Sequence, residues 1–255
     1  MARRPRVLLP DIPLHIIQPG NNRSACFYSD KDYIFYIDTL AVLAELYGCK
    51  VHALCLMTNY VHLLLTPTCC AGAGLLMKGL GQRYVQYVNR TCQRTGTLWE
   101  GRFRSCLVQQ DNYVLACYRY IEMNPVRAGM VIHPGVVLAC YRYIEMNPVR
   151  AGMVIHPGDY RWTSYRANAQ GELSGFISPH AVYSELGSGS AQRAEAYRSI
   201  FNDRLSPGLI EQIRSSTNGN YVLGDQKFAS EIAHALGKRV SQGVSGRPKK
   251  YELKE

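Results

Sequence analysis

Two apolar runs, residues 51–57 and 60–66, are separated only by Thr58 and Asn59. Runs this short, broken by two residues, read as the arms of a β-hairpin, although Thr-Asn is a weaker turn signal than Asn-Gly. Residues 15–18 (HIIQ) and the stretch FRSCLVQ supply further strand-like segments. Between them lie helical patterns. Ser29 or Asp30 is placed to cap a helix reaching about Tyr47, with Ile34, Ile37, Leu40 and Leu43 on its buried side and Gly48 as its stop. Residues 73–94 carry Leu76, Leu80, Tyr84 and Val88 along one side of a second helix. Strands alternating with helices imply an α+β fold, a small antiparallel sheet with helices packed on one face.

The next constraint is a repetition. VLACYRYIEMNPVRAGMVIHPG runs from Val114 to Gly135 and returns unchanged from Val137 to Gly158. A repeat seen once and without divergence is unlike a solenoid, which needs several units; an in-frame tandem duplication accounts for it better. The first copy follows a strand and Asp111, a good N-cap, whereas the second keeps the downstream DYRWTSY. The main domain is therefore expected over residues 1–170 and a helical extension over 171–236. In that extension Phe228, Ile232 and Leu236 form one stripe. From Gly237 to residue 255 the periodicity fades into a basic, flexible tail.

Net charge is +10 at pH 7, which makes a polyanion the first partner to consider. Lys78, Arg83 and Arg90 lie along the second helix, Arg102 and Arg104 open the last strand, and Arg247, Lys249 and Lys250 sit in the tail. Gly246-Arg247-Pro248 resembles the core of a hook for a narrow minor groove, with Ser245 where that motif has arginine. No apolar run is long enough to span a bilayer and the N-terminal segment is not a persuasive signal peptide. Nine cysteines without a CxxC pair argue against structural zinc and fit reduced thiols in a cytoplasmic, nucleoid-associated protein.

Strand alternation puts Tyr60 and His62 on the same face. In the repeat, Tyr120 and Asn124 lie four residues apart, on one side of a helix that Pro125 ends, while Glu122 faces nearly the opposite way. The order of HIIQ with GNNR, TNYVHLLLTP, RYVQYVNR, GTLWEGRFRS and ACYRYIEMNPVRAG resembles the HUH single-tyrosine transposases of the insertion-sequence and REP-associated type, over roughly residues 13–167.

That resemblance implies a ferredoxin-like antiparallel sheet and cleavage of single-stranded DNA beside hairpins through a 5′-phosphotyrosine intermediate. It places the metal pair on Tyr60 and His62, the third ligand on Asn124 and the nucleophile on Tyr120, with Tyr143 and Asn147 as the alternative copy. The upstream context points to Tyr120. A divalent cation, Mg²⁺ or Mn²⁺, is implied, and a monomer or a homodimer. Tyr60 departs from the family pattern, since a neutral phenol is a poor ligand beside imidazole. Weakened metal binding and weak or absent nicking, with hairpin binding retained, are expected. The alternative from another class is a catalytically silent DNA-binding or regulatory remnant, and an RNA-binding protein on the same scaffold is a third reading.

Overall fold

The computed structural model describes residues 5–110, 135–202 and 205–242. In chain order the elements are β1 (Leu14–Pro19), α1 (Asp30–Leu46), β2 (Cys49–Met57), β3 (Tyr60–Pro67), α2 (Gly72–Thr91), β4 (Arg104–Val108), α3 (Val136–Glu145), α4 (Asn147–Arg150), α5 (Tyr165–Gln170), α6 (Ala181–Ser184), α7 (Ser190–Ser199), α8 (Pro207–Gly219), β5 (Val222–Leu223) and α9 (Gln226–Leu236). The α+β class expected from the sequence is the class observed. The sheet has the order β2-β3-β1-β4-β5. Its first four strands are antiparallel to their neighbours, and β5 joins β4 in parallel.

The hairpin turns at Thr58 and Asn59, with Met57 opposite Tyr60. Ser29 caps α1 reciprocally: its backbone N–H donates to the Asp32 carboxylate at 2.8 Å, and its side chain accepts from the Asp32 N–H. Gly48 ends α1 with a φ of +60°, and a Cβ there would stand 2.3 Å from Thr68 Oγ1, so only glycine fits the turn into β2. The buried stripe of α1 differs from the expected one. Leu40 and Leu43 are buried as expected, but Ile34 is 43% exposed, and Tyr33 and Tyr36 are buried in place of the isoleucines. Tyr33 is clasped between Phe27 and Trp162, ring centroids 4.3 and 4.5 Å away. These large rings bury more apolar surface than an isoleucine in their place.

Alternation along the strands gives the sheet two unlike faces. Leu14, Ile16, Val61, Leu63 and Leu65 form one; all are fully buried and belong to the core that includes α1 and α2. His15, Ile17, Tyr60, His62, Arg104 and Cys106 share the other, with Ile17 paired to both His62 and Arg104. Helices cover this second face as well, namely α3 over β2 and β3 and α8 over β4 and β1.

The C-terminal region contributes to the same sheet. Its β5 extends the sheet beside β4, and the Asn220 carboxamide accepts from the Ser105 N–H at 3.0 Å. A two-residue strand carries no periodicity, so this pairing is not legible in the residues alone.

The segment following the second repeat copy is tied to the outer edge of β2. Leu56 N–H donates to Trp162 O at 2.9 Å, Ser164 N–H donates to Leu54 O at 3.0 Å, and Tyr160 Oη donates to Leu56 O at 2.8 Å. These bonds occupy an edge that would otherwise lack partners. They hold the chain that leads out of α3 and α4, the helices of the second copy, against the sheet.

Candidate functional site

The site begins with the end of a helix. Pro148 disfavours continuation, and α3 stops after Glu145. The carbonyls left open there are met by two side chains. Asn147 Nδ2 donates to Tyr143 O at 3.1 Å and Ile144 O at 3.0 Å, and Arg150 Nη2 also donates to Tyr143 O. With its amide nitrogen committed, Asn147 turns Oδ1 toward Tyr60 Oη, a long contact of 3.5 Å.

Tyr143 then reaches the polar face of the sheet. Its ring stands edge-on to His62 and His15, centroids 5.7 and 5.8 Å away, and the Arg150 guanidinium carbon lies 4.4 Å from its ring centre. Tyr60 and His62 share that face, with ring centroids 5.2 Å apart. The structure therefore brings Tyr60, His62, Tyr143 and Asn147 together. Tyr120, Asn124 and the Asp111 cap lie outside the described residues, as do Arg247, Lys249 and Lys250.

His15, which the sequence reading did not single out, orders the protons beneath the site. Thr217 Oγ1 donates to Ile213 O at 2.8 Å, so it accepts from His15 Nδ1 at 2.9 Å. His15 Nε2 is then the acceptor for His62 Nδ1, also at 2.9 Å. This order of donors leaves the His62 Nε2 lone pair as the one presented outward. Both rings are neutral. Burial lowers His15 to about 3, and burial with the neighbouring charges of His15, Arg150 and Arg214 holds His62 well below the usual imidazole range. The only signal for His15 was its alternation with Ile17 in LHIIQ.

A divalent cation would find one imidazole nitrogen and one carboxamide oxygen here. The third candidate, the Tyr60 phenol, is pushed up to about 12, mainly by burial, so it stays protonated and is a poor ligand. Among the described residues no group of three His, Cys, Asp or Glu side chains is placed to hold a metal. The charges that act on Tyr60 and His62 from Arg150 and Arg214 are positive, the wrong sign for stabilising a bound cation. The donor set does not fit the implied metal.

The basic residues divide. Arg104 is on the polar face, donating to Asn218 Oδ1 at 2.9 Å and pairing with Glu100 at 3.2 Å. With Arg6 and Arg102 it lines a surface cavity of about 320 Å³ beside Asn218 and Asn220. Arg6, another residue the sequence reading passed over, lies over the Phe103 ring at 3.7 Å. Lys78, Arg83 and Arg90 are exposed on α2, which packs against α1 rather than over His62, so they do not join the site.

No helix of the described residues is long and apolar enough to cross a membrane. Residues 9–124 match the family of IS200-like transposases. That match ends within the first repeat copy, whereas the second copy lies on the sheet. Among solved structures the chain is similar to a REP-associated tyrosine transposase bound to a REP hairpin. That likeness has 14% identity over 71% of this chain and 96% of the other, with a TM-score of 0.45. It is also similar to a candidate transposase from Deinococcus radiodurans R1, with 23% identity over 48% of this chain and 97% of that one, TM-score 0.33. No curated protein matches it. Over residues 9–124, the chain is thus similar to the IS200-like transposases.

Proposed function

We propose that this chain binds single-stranded DNA beside a hairpin and cleaves and rejoins it slowly, with Tyr143 as the nucleophile. The observation that carries this reading is the Tyr143 ring held over His62 at the end of α3. In the reaction the Tyr143 oxygen bonds to phosphorus as the bond to the 3′ oxygen breaks. The phenolic proton passes in net terms to the departing 3′ oxygen, and the 5′-phosphotyrosine retains the ester for rejoining. A phenol is weakly nucleophilic near neutral pH because it titrates near 10 in water. The rate therefore depends on how well the surrounding groups stabilise charge on the phosphate oxygens.

The second reading, a silent hairpin-binding remnant, is favoured by the poor donor set around Tyr60. A hairpin oligonucleotide with a single-stranded flank separates the two when protein–DNA adducts are sought on denaturing gels. Both copies yield the same tryptic peptide, YIEMNPVR, so substitution must tell them apart. The adduct should survive Tyr120→Phe and disappear in Tyr143→Phe; the opposite pattern would give the role to Tyr120. Hairpin binding with no adduct in any version would establish the silent reading.

A further inference from the structure

We propose that Arg150 and Arg214 form a metal-independent clamp for one phosphodiester of the strand that lies against Tyr143. The identity of that strand rests on the function proposed above; the clamp itself rests on the placement of the two guanidiniums.

Arg150 follows Asn147 by one turn, and its side chain is fixed at two points, the Tyr143 carbonyl and the Tyr143 ring. Arg214 arrives from the opposite side. It precedes Thr217 by three residues on α8, and Thr217 reaches His15 at 2.9 Å. Residues three apart share a helix face, so Arg214 lies on the side of α8 that is turned to the polar face of the sheet, one turn nearer the helix start, and it is exposed. The charges of Arg150 and Arg214 reach each other, as well as Tyr60 and His62.

Like charges held close raise the energy of the free protein, and an anion placed between them removes that repulsion. No carboxylate among the described residues supplies it. The ion pairs among the described residues are Glu100 with Arg104 and Asp30 with Arg161, and neither Arg150 nor Arg214 has a carboxylate there. Guanidinium suits a phosphate, because its planar fork donates two parallel hydrogen bonds to two oxygens of one tetrahedron. The site thus offers positive charge at the place where the divalent cation is missing ligands. In a transposase that lacks its first imidazole, two arginines hold the phosphate oxygens while Tyr143 faces the phosphorus.

Salt dependence of binding tests the clamp without any cleavage. A labelled hairpin oligonucleotide with a single-stranded flank is titrated by anisotropy in EDTA, between about 50 and 200 mM salt. Each lost phosphate contact to a single strand should reduce the slope of log affinity against log salt by about 0.7. Arg214→Gln should show that reduction and Arg214→Lys should largely keep the wild-type slope, while EDTA leaves wild-type affinity unchanged. Arg150→Gln should behave as Arg214→Gln does; because Arg150 also braces α3, the exposed Arg214 gives the decisive comparison. An unaltered slope in Arg214→Gln, or wild-type binding that collapses in EDTA, overturns the clamp.

Inorganic pyrophosphate, titrated calorimetrically in EDTA, separates this proposal from the reading it rests on. Arginine-dependent pyrophosphate binding without hairpin binding would keep the clamp and sink the DNA assignment. Hairpin binding with the wild-type slope in both glutamine variants would do the reverse.

Discussion

Tyr143 and Glu145 are two residues apart on α3 and face nearly opposite ways, and their surroundings differ as much as their directions. Glu145 is fully buried, yet it accepts from Ser164 Oγ at 2.6 Å, Asn168 Nδ2 at 2.8 Å and Tyr197 Oη at 2.8 Å. Burial pushes its carboxyl up to about 7, with the three hydrogen bonds pulling the other way. The Tyr143 side carries, among the described residues, the guanidiniums of Arg150 and Arg214 with no carboxylate paired to either. A buried polar group with all its partners in place belongs to the architecture, here fastening α3 to α5 and α7. Charge left without an opposite belongs to something that binds.

The largest effect should come from Glu145→Ala. It strands three donors in the interior and should cost about 3–5 kcal/mol in denaturant unfolding. A loss under about 1 kcal/mol would show that the well-partnered side of the helix is not structural after all.

The pH dependence comes next. His15 and His52 are lowered by burial to about 3 and about 4, and His62 falls well below the usual range. A base with a depressed folded-state pKa binds fewer protons folded than unfolded, so its contribution is intact above about 6.5 and is lost as pH falls below that. Glu145 runs in the opposite sense. Its folded-state value is raised, so stability is greatest below its unfolded value of 4.5 and declines as pH rises from there to about 7. Between pH 7 and 5 His15 and His52 should each remove about 2 kcal/mol and Glu145 return about 2 kcal/mol, a net loss of about 2 kcal/mol to which His62 adds in the same direction. Unfolding free energies at the two pH values check this; equal or greater stability at pH 5 would mean that the imidazoles are not held neutral.

The smallest effect is Tyr60→His, which places a second imidazole beside His62 and should raise Mn²⁺ affinity by about 10–100-fold, measured calorimetrically without DNA. Equal Mn²⁺ binding by wild type would mean that the site already holds a cation and that the two sides of α3 are less different than their charges suggest.

What the sequence disclosed depended on the range over which each signal acts. The hairpin, the Ser29 cap and the pairing of Tyr60 with His62 on one face rest on neighbours a few residues apart, and all were legible. The docked copy was not. Asp111 favours the first copy on local grounds, whereas the bonds that hold the second join Trp162 and Ser164 to β2 across more than a hundred residues. Arg214 was hidden for a similar reason. On its own helix it is one exposed cation among polar residues, and only the fold of α8 across β1 and β4 brings its charge to bear on Tyr60 and His62.

The tandem copy has a consequence for how this chain responds to mutation. Every side chain that α3 and α4 present from Val137 onward exists in the same order from Val114. The groove over β2 and β3 therefore has two identical claimants within one molecule. Exchanging them would preserve the contacts of the repeat itself and alter only the lengths of chain on either side, a change to which closure entropy is only weakly sensitive. A lesion confined to one copy has an intact sister sequence built in, so the protein carries its own spare part for the helix on which its chemistry would depend.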